Sequence, residues 1–188
     1  EHSKDIELLI SQSKRCGEIL KKISKKQIKD DKFFSNTQIE DLLHEIVESF
    51  KESSSKKIEL IANENKYKFD IQRSPELIYG LRNFIGNAVK FSKSIVEINI
   101  KSNSLNLEVS INDDGPGFPD DIKGVLGEPY INSKSLEVNS NSGTGLGTFL
   151  GKTLLERKSA SLSFLKDERL GGASVKILWN TKDLNSNA

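Results

Sequence analysis

An acidic residue followed by a glycine-rich turn is the first feature of this sequence that could do chemistry. Asp113 ends a stretch of alternating apolar and polar residues, and Gly115 and Gly117 follow it. Glycines allow a backbone to adopt positive φ and to approach a flat ring closely. A carboxylate held there can accept a hydrogen bond from an exocyclic amino group, worth about 1.5–3 kcal/mol net. Taken alone, the pattern fits an ordinary Asp-Gly turn equally well.

A second glycine-rich stretch opens a helical pattern further along the chain. Its members are Gly143, Thr144, Gly145, Leu146, Gly147 and Thr148. Free backbone N–H groups at the start of a helix bind phosphate, and glycines allow the phosphate to come close. The stretch differs from a P-loop, since no Gly-Lys-Ser/Thr follows, and from a dinucleotide fingerprint, since no strand precedes it. A flexible hinge is the alternative interpretation.

Two asparagines and a lysine share one face of a predicted helix upstream of both glycine stretches. Asn83, Asn87 and Lys90 are spaced i, i+4 and i+7. An amide oxygen is a ligand that Mg²⁺ accepts, and a lysine one turn on can reach a phosphate. Alone, this face could simply be solvated. The order and spacing of all three features together predict ATP with Mg²⁺ as the ligand.

The elements that must position these residues alternate between helical and strand periodicity. We predict an α/β (α+β) two-layer sandwich with three helices on one mixed, largely antiparallel sheet. The predicted helices cover residues 38–51 with Thr37 as N-cap, 75–91 with Ser74 as N-cap, and 146–158; the predicted strands lie near 58–62, 67–71, 95–101, 105–112, 161–165 and 173–179. The long loop 115–142 is predicted to be a lid over the site.

A long helix is predicted before this sandwich, over residues 5–28. Its apolar and small residues recur at alternating gaps of three and four, which is typical of a coiled coil or helical bundle. The predicted organisation is therefore a partial bundle helix (1–30), an ATP-binding domain (37–180) and a disordered tail (181–188). Cys16 lies on the bundle face, where it is either a small buried residue or a redox-active thiol.

Composition excludes several functional classes. The 28 basic and 27 acidic residues nearly balance, so no nucleic-acid partner is expected. No apolar run approaches the ~18 residues of a membrane span. One cysteine fits a reducing compartment. The sequence contains no methionine and starts at Glu1, so we expect neighbouring segments to exist.

At this point the sequence resembles the ATP-binding catalytic domain of sensor histidine kinases, within the superfamily that includes gyrase B, Hsp90 and MutL. Residues 82–91 resemble the asparagine box, 113–118 the first glycine box and 143–148 the second. Residues 126–130, 149–157 and 11–20 resemble the RegB type of redox-responsive sensor kinase, although Lys90 departs from that type.

The resemblance implies roles for individual residues. Asn87 binds magnesium with Asn83 beside it, Lys90 contacts phosphate, and Asp113 reads the adenine amino group. The two glycine boxes shape the pocket and line the triphosphate. Residues 1–30 would be the second half of a dimerisation hairpin in a homodimer, with a response regulator receiver domain as partner.

The resemblance also implies a cytoplasmic location, below a membrane attachment outside this sequence. A cysteine in the position of Cys16 is implicated in redox sensing. Oxidative linkage of two chains through Cys16 would appear as a dimer band on non-reducing electrophoresis that Cys16→Ser lacks.

The phosphoacceptor histidine is not found in the sequence. In the family, an acid follows this histidine and Thr or Asn and then Pro come one turn later. His44 has the acid, Glu45, but not the later pair, and His2 is followed by Ser3 and Lys4, so we expect the acceptor outside these residues. Two alternatives stay open: another ATPase or serine kinase of the superfamily, and a non-catalytic ATP-binding dimerisation module.

Overall fold

The computed structural model describes residues 36–62, 67–120, 123–128 and 146–185. In chain order, the elements are β1 (Asn36–Gln38), α1 (Ile39–Lys51), β2 (Lys57–Ala62), β3 (Asp70–Gln72), α2 (Pro75–Phe91), β4 (Ile95–Ser102), β5 (Asn106–Asp113), a 3₁₀ turn (Lys123–Val125), α3 (Leu146–Glu156), β6 (Ala160–Lys166), β7 (Ala173–Asn180) and α4 (Thr181–Asn185).

Five strands form the main sheet, in the order β2-β4-β5-β7-β6. The β2–β4 pair is parallel and the other three pairs are antiparallel. The short strands β1 and β3 pair separately as an antiparallel ribbon. The predicted sandwich with a mixed, largely antiparallel sheet is therefore confirmed.

One face of the sheet carries the core. Because side chains alternate along a strand, β4 directs Val96, Ile98 and Ile100 to this face, and all three are buried. The neighbours of Ile98 and Ile100 on β5 and on the next strand, β7, are also apolar and buried. Val96 instead lies opposite Asp113, which is buried but charged. The helices cover this face with buried residues of their own, so the structure has two layers.

Helix α2 carries Asn83, Asn87 and Lys90, which the sequence predicts as site residues. The helix starts where the sequence predicts. The Ser74 side chain accepts a hydrogen bond from Leu77 N at 3.3 Å, and Pro75 occupies the first turn. Its buried residues are Leu77, Gly80, Leu81, Phe84, Ile85 and Ala88. This buried stripe orients the helix and turns the asparagines away from the core.

Three sequence predictions differ from the structure. Thr37 is not a helix cap, because it lies in β1 opposite Ile71 and the helix begins after Gln38, whose side chain makes no cap hydrogen bond. The strand predicted at 67–71 is instead Asp70–Gln72, and it pairs with β1 rather than with the main sheet. The tail predicted to be disordered begins with α4 (Thr181–Asn185). The other helix and strand ends differ by one or two residues.

The predicted bundle helix, including Cys16, lies outside the described residues, as does most of the predicted lid. Among the residues that are described, no helix combines the length and the apolar character that a membrane crossing requires.

Candidate nucleotide site

The Asp113 carboxylate is buried at the end of β5. Its residue is 4% exposed, and its Oδ1 accepts hydrogen bonds from Gly115 N at 2.8 Å and Ala173 N at 3.1 Å. No described residue donates a hydrogen bond to its Oδ2. One oxygen is thus fixed by the backbone, and the other stays available as an acceptor.

Two glycines make room for this carboxylate. A Cβ at Gly115 would lie 2.8 Å from Asp113 Oδ1 and would also overlap the Phe91 carbonyl oxygen. A Cβ at Gly172, in the β6–β7 turn, would overlap both the main-chain oxygen and Oδ1 of Asp113. Any larger residue at either position would displace the carboxylate, so the close approach requires glycine. Gly117 adopts φ +78°, which gives the following turn its left-handed conformation.

Burial raises the pKa of the Asp113 carboxyl above its ordinary value, against the hydrogen bonds from Gly115 and Ala173. The nearby charges of Asp114 and Asp167 raise this pKa further. Desolvation of an anion favours any partner that donates a hydrogen bond to it. The site therefore suits a neutral N–H donor from a ligand.

Asp114, the next residue, has a different environment. Burial alone would raise the pKa of its carboxyl, but hydrogen bonds from Ser94 and from the backbone N–H groups of Lys93 and Ile95 outweigh that effect. The pKa of Asp114 is therefore lowered well below its usual range. Its carboxylate stabilises the start of β4, so its role differs from the one expected of Asp113.

Asn83 and Asn87 lie half-buried on one face of α2, beside the start of α3. The Asn83 Nδ2 donates to Tyr79 O at 2.9 Å, and the Asn87 Nδ2 donates to Thr148 Oγ1 at 3.4 Å. A Cβ at Gly147 would lie 3.6 Å from Asn83 Oδ1. Both amide nitrogens are thus used within the protein, while neither amide oxygen has a donor among the described residues.

Close packing of α2 against α3 brings these groups together. A Cβ at Gly151 would lie 3.1 Å from Asn83 Cβ and 3.0 Å from Phe84 Cε2. On the other helix, a Cβ at Gly80 would lie 2.6 Å from Leu155 Cγ. The two glycines let the helices approach until the first turn of α3 borders the asparagines.

The carboxylate and the asparagines belong to one region along α2. Gly115 packs against the carbonyl of Phe91, which lies one turn, about 6 Å, beyond Asn87. A row of rings also joins the two parts: Phe118 contacts Phe164 at 5.7 Å between centroids, and Phe164 contacts Phe84 at 6.0 Å. Residues distant in sequence are thus connected through α2 and through these rings.

The structure brings together most, though not all, of the residues that the sequence singles out. Asn83, Asn87, Gly147 and Thr148 meet at the α2–α3 contact, and Leu146 is the first residue of α3. Lys90 is exposed in the last turn of α2, with its Nζ 5.0 Å from the centroid of the Phe91 ring. Gly143, Thr144 and Gly145 lie outside the described residues.

Two residues of the site are missing from the sequence prediction. Gly172 and Ala173 hold Asp113 from the β6–β7 turn, yet the sequence suggests only a strand connection there. The pair Gly171-Gly172 is the one signal that could have drawn attention to it. A double glycine next to a strand can mark a close backbone approach as well as a turn.

Comparison with known proteins agrees with this geometry. A family model described as histidine kinase-, DNA gyrase B-, and HSP90-like ATPase matches residues 72–182, more than half of the 188 residues. The match covers α2, the Asp113 turn, the second glycine stretch and the hairpin that carries Gly172.

Relatives and solved structures point the same way. The sensor histidine kinase RegB of Cereibacter sphaeroides is 33% identical over 93% of this chain, which spans only 42% of RegB. The sensor histidine kinase CpxA of Escherichia coli K12 is 23% identical over 53% of the chain, which matches 21% of CpxA.

Two structures share the fold. The mycobacterial sensor histidine kinase MprB superposes with a TM-score of 0.66 at 20% identity, covering 78% of this chain and 97% of MprB. Full-length ShkA in complex with AMPPNP superposes with a TM-score of 0.63 at 21% identity, covering 78% of this chain and 30% of ShkA. With the family model matching most of the described sandwich, the chain belongs to the family of histidine kinase-, DNA gyrase B-, and HSP90-like ATPases.

Proposed function

We propose that this chain contains the ATP-binding kinase domain of a two-component sensor histidine kinase. It would donate the γ-phosphoryl group of ATP to a histidine outside the 188 residues, from which it passes to a response regulator receiver domain. Membership of the ATPase family supports ATP binding. The names of RegB, CpxA and MprB as sensor histidine kinases support phosphoryl transfer to a histidine.

The arrangement of the whole protein is part of the same proposal. Residues 1–30 would complete a dimerisation hairpin in a homodimer, and the catalytic domain would occupy 37–180 on the cytoplasmic side of a sensor. Similarity to RegB also supports a redox link, for which Cys16 is the candidate.

The hydrogen bonding of Asp113, at the proposed adenine end of the site, is the main support for the proposal. Asp113 Oδ1 is held by two backbone N–H groups, while Oδ2 has no donor among the described residues. In the proposed complex, Oδ2 accepts a hydrogen bond from the 6-amino group of adenine. Gly115 and Gly117 shape the adjoining wall of the pocket.

The phosphate end would be formed by α2 and α3. The amide oxygens of Asn87 and Asn83 are hard ligands that suit Mg²⁺, and the metal would neutralise phosphate charge when bound. The first turn of α3, from Leu146 to Thr148, offers backbone N–H groups to phosphate oxygens. Lys90 would add a positive charge, and Gly143, Thr144 and Gly145 would extend this binding surface.

His44 does not fit the role of phosphoacceptor. Its side chain is 67% exposed on α1, and its Nε2 lies 4.0 Å from Glu48 Oε1. Glu45 supplies the acid that follows the acceptor histidine in the family, but no Thr/Asn-Pro pair comes one turn later. We therefore propose that the phosphoacceptor histidine lies outside this sequence.

Asp113→Asn tests the adenine contact. The amide keeps an oxygen for Gly115 N and Ala173 N but replaces Oδ2 with a donor, so the hydrogen bond to the 6-amino group is lost. We expect ATP affinity, measured by isothermal titration calorimetry with Mg²⁺, to fall about 10- to 100-fold. Inosine triphosphate, which has a 6-oxo group, should lose none of its affinity.

Unfolding by urea serves as the control, because the substitution also removes a buried charge and should not destabilise the fold. Unchanged ATP affinity in the variant would remove Asp113 from the adenine contact.

For the kinase reaction itself, a longer chain that includes the upstream histidine should form acid-labile phosphohistidine with ATP. A longer chain that binds ATP without forming it would favour the non-catalytic alternative.

A further inference from the structure

An ion pair joins the β6–β7 turn to the far side of the sheet. Arg169, in the turn, donates from Nη2 to Glu97 Oε2 on β4. The Glu97 side chain is only 6% exposed, whereas that of Arg169 is 63% exposed. Removing the charged partner of a buried carboxylate is costly to folding stability, so we expect this pair to persist in the folded state.

The pair lies on the sheet face opposite the helices. In the sheet register Glu97 is opposite Asn112, and Asn112 is opposite Ser174. The Ser174 hydroxyl donates to Asn112 Oδ1 at 2.6 Å. The row Glu97, Asn112 and Ser174 thus crosses three strands directly behind Asp113 and Ala173, which are the chain neighbours of Asn112 and Ser174.

The turn between Arg169 and the site is internally tied. Asp167 Oδ1 accepts hydrogen bonds from Arg169 N at 3.0 Å and Leu170 N at 2.6 Å. The Asp167 N–H donates to Gly172 O at 2.9 Å, and Gly171 N donates to Asp167 O at 2.9 Å. Because these bonds close the turn on itself, a shift of Arg169 is transmitted to Gly172.

The C-terminal end of the turn contacts the Asp113 carboxylate. Ala173 N donates to Asp113 Oδ1, and Gly172 lies so close to Asp113 that no Cβ would fit. The direction in which Oδ2 points therefore depends on where the turn is held.

We propose that Arg169 and Glu97 are positioning residues for Asp113: their ion pair anchors the β6–β7 turn to β4, and the anchored turn holds the Asp113 carboxylate in the orientation that distinguishes a 6-amino from a 6-oxo purine. Neither residue contacts the nucleotide. This inference rests on the proposed adenine contact and adds to it a device for purine selectivity that works from the opposite face of the sheet.

The test measures a ratio of affinities in the 188-residue chain. The dissociation constant of inosine triphosphate divided by that of ATP, both with Mg²⁺, reports the amino-group contact and is insensitive to a general loss of stability. In Arg169→Gln we expect ATP affinity to fall about 3- to 10-fold, inosine triphosphate affinity to stay the same, and the ratio to shrink accordingly. Arg169→Lys, which keeps the charge, should restore part of the ratio.

A double-mutant cycle separates the pair from the individual side chains. Arg169→Gln leaves the buried Glu97 carboxylate without its partner, so adding Glu97→Gln should recover part of the lost folding stability. For the ATP preference, the effects of Glu97→Gln and Arg169→Gln should be clearly non-additive, because both break one anchor.

Arg73→Gln is the matched control. It breaks a different Arg–Glu pair, between Arg73 Nη2 and Glu45 Oε2 at 2.6 Å, on the helix side of the molecule. This variant should leave the purine ratio unchanged.

The two proposals fail in different ways. If Asp113→Asn lowers the purine ratio but Arg169→Gln leaves it at the wild-type value, the anchor is wrong and the adenine contact stands. If Asp113→Asn leaves the ratio unchanged, the adenine contact itself fails, and the anchor with it. A loss of folding stability in Arg169→Gln without a change in the ratio assigns the ion pair a purely structural role.

Discussion

At the scale of single residues, the asparagines are the part of the site where the hydrogen-bond pattern is most informative. Asn83 and Asn87 each use the amide nitrogen within the protein, toward Tyr79 O and Thr148 Oγ1. That arrangement fixes which end of each amide faces the site. An oxygen presented by a fixed amide is suited to a hard divalent ion.

Asn87→Ala tests this assignment. We expect the variant to bind ATP almost equally with Mg²⁺ and with EDTA, because the amide ligand is lost. In the wild type, Mg²⁺ should strengthen binding at least about tenfold, equivalent to about 1.4 kcal/mol. The measurement is calorimetric titration of ATP with and without the metal.

Asn99→Ala is the control, since Asn99 lies on β4 opposite Ser110, on the sheet face away from the helices. It should retain the wild-type dependence on Mg²⁺. A variant at Asn87 that keeps this dependence would refute the metal assignment.

At the scale of elements, the junction between α2 and β4 is fixed from both sides. The Lys56 Nζ donates to the carbonyls of Val89 at 2.6 Å and Ser92 at 2.6 Å, which are at the end of α2. The Asp114 carboxylate accepts from Lys93 N at 2.8 Å and from the Ser94 hydroxyl at 2.6 Å, at the start of β4. This junction sets where Phe91 meets Gly115, so it connects the two parts of the site.

Asp114→Asn should weaken this junction in a pH-dependent way. The folded state lowers the Asp114 pKa, so its carboxylate stabilises the fold above the unfolded pKa of about 4 and loses that contribution as pH falls below it. Because the group is only half-buried and solvent screens its interactions, we expect a loss of about 1 kcal/mol in the free energy of unfolding at pH 7. The difference from wild type should shrink as the pH is lowered from 4 toward 3.

Urea unfolding at pH 7 and near pH 3 provides the measurement. Asp70→Asn, at an exposed position on β3, should change the free energy of unfolding by less than about 0.5 kcal/mol. A difference between wild type and Asp114→Asn that is equally large at both pH values would contradict the role assigned to the charge.

At the scale of the whole molecule, the fluorescence of Trp179 reports on unfolding of the sheet. Trp179 is the only tryptophan of the sequence and is 1% exposed on β7, opposite Leu107 and Ala160. Its emission should therefore move to longer wavelength when the sheet unfolds. The proposed nucleotide site draws on β5, β7, α2 and α3, so we expect a ligand bound there to stabilise most of the sandwich.

ATP with Mg²⁺ at 100 times its dissociation constant should raise the free energy of unfolding by about 2.7 kcal/mol, because a ligand that binds only the folded state shifts the equilibrium by mass action. Urea titration followed by Trp179 emission measures this shift. The same ATP concentration should stabilise Asp113→Asn by a smaller amount. Mg²⁺ alone serves as the control, and a wild-type curve that ATP with Mg²⁺ fails to move would contradict nucleotide binding.

The sequence by itself determined the elements and the class of ligand. Period-3.6 and period-2 patterns depend on which residues are apolar, so they identified α2 through Ser74, Pro75 and its buried stripe, and the hairpin of β4 and β5. Asp113, the asparagines and the second glycine stretch were recognisable because each has a local chemical pattern. Thr37 was misassigned because a local cap preference cannot reveal pairing with Ile71, which depends on a distant strand.

Only the tertiary structure decided which distant groups act on these residues. Ala173 reaches Asp113 across 60 positions of sequence, Thr148 reaches Asn87 across 61, and Arg169 reaches Glu97 across 72. The hairpin of β6 and β7 had no chemical pattern of its own, and its importance comes from strand order, which places β7 beside β5. Such contacts depend on how the strands pair and the helices pack, and no single stretch of residues encodes them.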